Sequence, residues 1–358
     1  MTHVFVSPHP DDIALSCGGL VASLRELGQN VTILTVYSGS RASGNGADMT
    51  DYQRAALGFG TKANWPLTEA FRRTNIAPDY PVEAPVGGSP PWMADPERLD
   101  LTQERANTQA RQFWQRAAWT RSANVTNSES DARPVADAIG GQGSLAEVDF
   151  TAVDAMEMRK AEEERYAFFT EASVIFLDLP DAVYRGYEGD EQLLGAVRDD
   201  DEAPYELLRS EILRLEPQMV YFPLAIGGHV DHQLCREVGL SLLAERRQWV
   251  MPAPSFIGRL SFYEDFPYAW WSDFNGSSTD GGLGLDLPVG VGLAPQYGDI
   301  SDVIDRKAAG VRVYASQLPR LFESDQGLLD DLYGYHARVA AAGGVPGYAE
   351  RYWATVKP

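Results

Sequence analysis

Residues 4–19 have the sequence VFVSPHPDDIALSCGG, in which a short apolar run leads into a polar cluster and then into two glycines. The run Val4–Ser7 is rich in β-branched and aromatic residues, as buried strands are. Leucines at helical spacing follow between Cys17 and Leu27. This stretch therefore predicts a strand that passes through a polar turn into a helix.

The same alternation continues along the chain. Apolar runs at Val31–Tyr37, Val174–Leu177 and Met219–Leu224 predict further strands. A later strand is predicted at Phe256–Phe262. Helices are predicted at Met156–Phe169, Tyr205–Leu215, His232–Arg246, Val303–Ser316 and Leu328–Ala342. Strands that alternate with amphipathic helices form βαβ units, so we predict a Rossmann-like α/β fold with a mostly parallel sheet and helices on both faces.

Two stretches are too long to be ordinary connections between such elements. They lie at about 38–155 and 272–298, and the second is rich in Gly, Ser and Asp. We predict a single domain over residues 1–358 that carries both stretches as insertions.

The composition disfavours several classes of partner. The chain has 51 acidic and 30 basic residues, and its net charge of −21 disfavours nucleic acid and anionic membrane surfaces. No apolar run approaches the roughly 18 residues of a membrane span, and no secretory signal is visible. Cys17 and Cys235 are far apart in the sequence, which favours a reducing compartment. We predict a cytoplasmic protein, and the sequence leaves its oligomeric state open.

A first chemical cluster, His9, Asp11 and Asp12, follows the first strand. Ligands bind at the carboxyl ends of strands in open parallel sheets. A histidine and two carboxylates suit a metal site, in which one carboxylate binds the ion and the other faces its water. The alternative is that one aspartate only caps the helix, but this does not account for the pair and the histidine together.

A second cluster, Gly227–His232, follows the predicted strand Met219–Leu224. His229 and His232 are three residues apart and can face the same region, while Asp231 can hydrogen-bond an imidazole and fix its tautomer. A lone histidine is usually structural. Here, however, three of the five histidines of the chain lie in the two clusters.

Together the clusters offer three good metal ligands, one fewer than a closed tetrahedron, as catalytic zinc sites do. Such a site lowers the pKa of its bound water to about 7, and an adjacent carboxylate can take the proton. The residues thus indicate metal-assisted hydrolysis of an amide or ester. Gly18 and Gly19 suggest a dinucleotide binder instead, but the spaced glycine pattern is missing and Asp11 and Asp12 would repel a pyrophosphate.

The motifs at residues 8–12, PHPDD, and 229–232, HVDH, resemble those of the LmbE-like or PIG-L family of zinc-dependent N-acetylglucosaminyl deacetylases. Further blocks that resemble this family lie at Arg159–Glu163, Leu177–Asp181, Phe262–Tyr268 and Lys307–Gln317. The resemblance implies that His9, Asp12 and His232 bind zinc, for which Fe²⁺, Mn²⁺ or Co²⁺ could substitute. It also implies that Asp11 is the general base.

The resemblance further implies that His229 polarises the acetyl carbonyl or protonates the leaving amine, and that Asp231 orients it. Arg159 and Asp181 correspond to sugar-hydroxyl contacts, although Lys160 is an alternative to Arg159. The family motif usually continues with Glu, where this chain has Ile13. That Glu has no role in the chemistry assigned above, so we expect activity to be retained.

The implied function is removal of the N-acetyl group from a 2-acetamido sugar or sugar conjugate by attack of a zinc-bound water. The partner would then be a small N-acetylated sugar or glycoconjugate. Hydrolysis of another N-acyl amide is one alternative, and a non-catalytic Rossmann-like sugar or nucleotide binder is another. A tryptophan could stack on such a sugar or belong to a small apolar core. Both alternatives are open for Trp65, Trp92, Trp114, Trp119 and the pair Trp270–Trp271.

Overall fold

Strands and helices alternate in the computed structural model, which describes residues 1–39, 155–245, 259–272, 274, 287 and 292–356. The strands are β1 (Thr2–Ser7), β2 (Asn30–Thr35), β3 (Ser173–Phe176), β4 (Met219–Pro223), β5 (Leu260–Tyr263), β6 (Gly292–Asp299) and β7 (Ala349–Val356). The α-helices are α1 (Asp12–Glu26), α2 (Ala155–Thr170), α3 (Asp190–Leu193), α4 (Tyr205–Leu215), α5 (Val230–Glu245), α6 (Tyr268–Trp271), α7 (Ile304–Val311), α8 (Leu318–Leu321) and α9 (Asp325–Gly343).

All seven strands form one sheet in the order β3-β2-β1-β4-β5-β7-β6. The first five strands in this order pair in parallel, whereas β7 pairs antiparallel with both β5 and β6. The predicted α/β fold with a mostly parallel sheet is confirmed.

Apolar side chains cover both faces of this sheet. In β1, Phe5 packs with α1, α7 and α9, whereas Val4 and Val6 point the other way and pack with α4 and α5. This alternation follows from the two-residue period of a strand. Helices therefore bury both faces, as the continuous apolar runs of the central strands predict.

The order of the strands determines where a ligand can bind. From β1 the chain proceeds to β2 on one side, while β4, which comes later, lies on the other side. A crevice forms at such a switch point, outside the carboxyl ends of the two strands. Both predicted clusters follow these strands, one after Ser7 and the other after Pro223.

Helix α1 begins at Asp12, five positions before the predicted start at Cys17. Its first five residues include the buried polar residues Asp12 and Ser16, so an apolar pattern detects the helix late. Gly19 in this helix is explained by packing, because a β-carbon there would lie 2.6 Å from Cγ2 of Ile300. Ile13, which replaces the usual Glu, is fully buried in the apolar core.

The predicted insertion at 38–155 lies almost entirely outside the described residues, and so do its four tryptophans. The described residues all belong to one compact unit. The second predicted insertion, 272–298, is partly a strand, because β6 begins at Gly292. Among the described helices, none has the length and apolar character that crossing a membrane requires.

Candidate active site

His9 follows β1 and is held between two carboxylates. Its Nε2 lies 2.8 Å from Oδ2 of Asp231, and its Nδ1 lies 3.4 Å from Oδ2 of Asp12. The hydroxyl of Ser7, the last residue of β1, donates to the carbonyl of His9 at 2.7 Å. These contacts fix the imidazole with Nδ1 directed toward Asp12.

His232, in the first turn of α5, has the corresponding arrangement. Its Nδ1 lies 2.6 Å from Oδ1 of Asp265, and its Nε2 lies 3.3 Å from Oδ2 of Asp12. The same oxygen of Asp12 accepts a hydrogen bond from the backbone N–H of His9 at 2.8 Å. One carboxylate oxygen therefore faces both ring nitrogens.

Two of the three separations among the predicted ligands match those of a tetrahedral metal ion. Ligand atoms about 2.1 Å from zinc lie about 3.4 Å apart in a tetrahedron, which is close to the separations of Asp12 from His9 and His232. Metal-binding histidines usually give their second ring nitrogen to a carboxylate. Asp231 and Asp265 are placed for this, so His9 and His232 have the surroundings that metal-binding histidines have.

The charges of the site also favour a cation. Burial opposes protonation of His9, but Asp181 and two other nearby carboxylates outweigh it and raise the pKa of His9 to about 9. Burial likewise opposes ionisation of Asp12, yet His232 and His9 hold the pKa of this carboxyl well below its usual range. Such a field stabilises positive charge between these side chains.

His229 lies beside the other two histidines. Ring nitrogens of His9, His229 and His232 come within 4.8 Å of one another, and the same limit encloses a grouping of His9 with Asp181 and Asp231. The structure therefore brings every sequence-predicted histidine into one cluster.

Asp11 has a backbone conformation that is rare for a residue with a side chain, with φ of 111°. It precedes α1, but its carboxylate makes no capping hydrogen bond to that helix. Instead, its backbone N–H donates to Glu163 at 3.1 Å, and its Oδ1 lies 3.6 Å from Arg159. Burial raises the pKa of Asp11 to about 8, although the guanidinium of Arg159 opposes this.

Asp231 contacts His229 in a different way from the predicted one. Its backbone N–H donates to Nδ1 of His229 at 3.2 Å, whereas its carboxylate binds His9 and Arg185. The predicted hydrogen bond between this carboxylate and an imidazole thus goes to His9, and the same carboxylate oxygen also accepts from the backbone N–H of Ala182 at 3.1 Å. With Nδ1 as an acceptor, the neutral ring of His229 carries its proton on Nε2.

Arg159 and Asp181, the predicted substrate contacts, both line the cavity. They lie 3.5 Å apart, and Arg159 also donates to the carbonyl of Pro10 at 3.3 Å. Asp181 caps a 3₁₀ turn by accepting from the backbone N–H of Val183 at 3.1 Å. The alternative, Lys160, pairs with Asp178 at 2.5 Å and does not line the cavity.

Sequence reasoning assigned no role to two residues of this site. Asp265, which follows β5, could have been found by the strand-end rule that found His9 and His232. Arg185 contacts Asp231 at 2.5 Å and Asp201 at 2.9 Å, and its guanidinium lies 4.7 Å from the ring of Tyr37. It lies in a connecting segment, and no motif identifies it.

A cavity of about 210 Å³ opens onto these groups. Its polar part includes the three predicted metal ligands together with Asp11 and His229. Its apolar part consists of Leu15, Val183, Leu193, Leu194, Phe266, Pro267, Tyr268, Trp271 and Leu321. The arrangement can hold a metal ion, a water and a polar group of a substrate next to an apolar surface.

Comparison with known families connects this site to one of them. The family model described as PIG-L, GlcNAc-PI de-N-acetylase, matches residues 4–63, a range that includes His9, Asp11 and Asp12. The match confirms the resemblance to the PIG-L family that the motifs predict.

A curated relative supports the same resemblance. The 2′-N-acetylparomamine deacetylase of Streptomyces fradiae is 34% identical over 166 residues, which cover 45% of this chain and 53% of the relative. The matched part thus spans about half the length of that protein.

Solved structures share the fold over nearly the whole chain. A deacetylase of the antimicrobial A40926 pseudoaglycone superposes with a TM-score of 0.53 at 21% sequence identity. The superposition covers 99% of this chain and 97% of that deacetylase. The zinc-inhibited form of teicoplanin deacetylase superposes with a TM-score of 0.54 at 20% sequence identity. The superposition covers 100% of this chain and 99% of that deacetylase. At these identities the likeness shows the α/β fold.

Proposed function

We propose that this chain, whose N-terminal part matches the PIG-L family, is a metal-dependent hydrolase that removes the N-acetyl group from a 2-acetamido sugar or sugar conjugate. One observation carries the proposal: Oδ2 of Asp12 lies 3.3–3.4 Å from ring nitrogens of His9 and His232, in a cavity that Asp11 and His229 also line. The named activity of the Streptomyces fradiae relative, an N-acetyl sugar deacetylase, supports the choice of reaction.

The proposed cofactor is zinc, held by His9, Asp12 and His232. Two imidazoles and a carboxylate suit zinc but also accept Fe²⁺, Mn²⁺ or Co²⁺. A bound ion of this kind supplies Lewis acidity toward water and toward the amide carbonyl. The zinc-inhibited form of teicoplanin deacetylase makes the metal itself a variable to be tested.

Asp11 carries out the proton transfers, and His229 contributes a hydrogen bond. Asp11 takes a proton from the attacking water as the water oxygen bonds to the acetyl carbon. His229 donates its Nε2–H to the carbonyl oxygen, where negative charge develops. As the C–N bond breaks, Asp11 passes the proton to the departing amine, and the acetic acid that forms loses its remaining proton to solvent and leaves as acetate.

The environment of His229 favours this polarising role over protonation of the amine. Burial and the neighbouring His9 hold the pKa of His229 well below its usual range. A neutral imidazole is a good hydrogen-bond donor and a poor acid. Arg159 and Asp181, which lie at the cavity wall, are proposed to bind sugar hydroxyls.

Purified protein should be stripped of metal and then reconstituted separately with Zn²⁺, Fe²⁺, Mn²⁺ and Co²⁺. Release of acetate from a panel of N-acetylated sugars, only in the presence of metal, would support the proposal. Metal-independent release, or no release with any ion, would contradict it. A non-catalytic binder is not favoured, because Gly19 serves helix packing and acidic groups occupy the strand ends.

A second candidate is hydrolysis of a longer N-acyl amide. The observation that favours it is the apolar part of the cavity, in which Leu15, Leu193 and Leu321 could contact an acyl chain. Comparing N-acetyl with N-butanoyl and N-octanoyl glucosamine separates the two candidates.

We propose the cytoplasm as the compartment, since Cys17 and Cys235 are buried free thiols.

A further inference from the structure

Trp271 lines the cavity and is still 48% exposed. Its neighbour Trp270 packs against the apolar core. The two tryptophans, for which the sequence predicts the same pair of alternatives, therefore have different environments. Trp270 belongs to the core, and Trp271 is available to a ligand.

The indole of Trp271 is held in a fixed orientation. Its Nε1 donates to Oδ2 of Asp331 at 3.2 Å, and Oδ1 of the same carboxylate accepts from Nε1 of Trp270 at 2.8 Å. Its ring also makes edge contacts with Tyr268 and Phe322, each at a centroid distance of 6.0 Å. A side chain that is already ordered loses little entropy when it binds a ligand.

Trp271 is separated from the proposed metal ligands by Tyr268. The ring of Tyr268 lies 6.0 Å from that of His232 and 6.0 Å from that of Trp271. An acetyl group that reacts beside His232 therefore has Tyr268 as its aromatic neighbour. Trp271 is left for a part of the substrate farther from the reacting group.

The cavity wall that includes Trp271 has exposed apolar side chains, and its arginines lie beside carboxylates. Leu194, which also lines the cavity, is 43% exposed. Among the described lining residues, the guanidinium of Arg159 lies 3.5 Å from Asp181 and that of Arg320 lies 3.8 Å from Asp190. Each described arginine of the cavity wall thus has a carboxylate beside it, which favours an uncharged second ring over an anionic one.

Resting on the proposed deacetylase function, we propose that Trp271 is a specificity-determining platform for an uncharged ring joined to the reacting acetamido sugar. Sugar rings and aryl groups both present apolar faces that stack on an indole. The substrate class is therefore an N-acetylated sugar that carries a second ring, either a further sugar or an aryl aglycone.

The test is calorimetric binding to the metal-loaded protein of three probes: N-acetylglucosamine, its phenyl β-glycoside and its β-1,4-linked dimer. The wild type is expected to bind at least one two-ring probe about three- to tenfold more tightly than the monosaccharide. Trp271→Ala should remove this difference, and Trp271→Phe should keep part of it. Leu207→Ala is the matched control, because Leu207 is an exposed apolar residue that does not line the cavity.

A preference for the phenyl glycoside identifies an aryl group as the second ring, and a preference for the dimer identifies a sugar. Equal affinity of the wild type for all three probes, no binding of any, or an equal loss for all three in Trp271→Ala would overturn the platform. Acetate release is measured separately. A Trp271-dependent binding difference without acetate release from any probe would contradict the deacetylase function and leave the platform in place.

Discussion

Oδ1 of Asp265 lies 2.6 Å from Nδ1 of His232, and the other oxygen of Asp265 accepts from the backbone N–H of Ile226 at 2.9 Å. Asp265 thus connects the end of β5 to the segment after β4. Both groups are buried, so the carboxylate fixes the ring of His232 with Nε2 directed toward Asp12. The arrangement makes Asp265 a positioning residue for a proposed metal ligand.

Replacing Asp265 should therefore weaken metal binding without removing a ligand. We expect Asp265→Ala to lower the affinity for zinc about 10- to 100-fold, as loss of such partners does in other metal sites. Competition with a chromogenic chelator measures the change. Asp299→Asn, at an exposed carboxylate of β6, is the control and should bind as the wild type does. Equal affinities of the two variants would contradict the positioning role.

Asp11→Asn should separate metal binding from turnover. The amide keeps the size of the side chain but cannot accept the proton of the water, so we expect at least about a 100-fold loss of kcat with normal metal content. Elemental analysis and acetate release measure the two quantities. Turnover close to that of the wild type would exclude Asp11 as the base.

His232→Ala should lose both metal and activity, because it removes a proposed ligand. His3→Ala is the matched variant, since His3 is buried against Tyr221 and lies outside the cavity. We expect His3→Ala to keep its metal, even if its stability falls. Full metal content in His232→Ala would contradict the proposed ligand set.

Gly19→Ala should destabilise the fold through packing alone. Its new β-carbon would lie 2.6 Å from Ile300 and 2.9 Å from the carboxylate of Glu350. Overpacking of this kind costs about 1–3 kcal/mol. Gly298→Ala, whose β-carbon would have its nearest neighbour at 3.6 Å, is the control. Urea denaturation measures both, and equal free energies of unfolding would refute the packing explanation.

The sequence predicts the central part of the sheet and the position of the chemical clusters. β1 and β4 are buried on both faces, so their apolar runs are continuous, and their neighbouring carboxyl ends bring His9 and His232 together. The apolar pattern does not predict strand β7, because two buried residues of this strand are charged. Glu350 pairs with Lys307, and Arg351 pairs with Glu264. Their charges interrupt the apolar pattern of a strand.

The contacts within the site are less predictable than its position. Which imidazole the carboxylate of Asp231 meets depends on the turn that begins α5, and residue spacing does not determine that turn. The role of Asp265 depends on β5 lying beside β4, which only the sheet order reveals. Trp270 packs against Tyr335 and Arg338 of α9, whereas Trp271 contacts Phe322, and residue spacing does not reveal these long-range contacts.

The φ angle of 111° at Asp11 sets stability and activity against each other. A β-carbon is strained in this conformation, at a cost of about 1–3 kcal/mol, and glycine is not. Asp11→Gly should therefore raise the free energy of unfolding by about 1 kcal/mol relative to Asp11→Asn, which keeps the β-carbon. Both variants lack the proposed base. The proposed role of Asp11 as general base accounts for a residue with a β-carbon at this strained position.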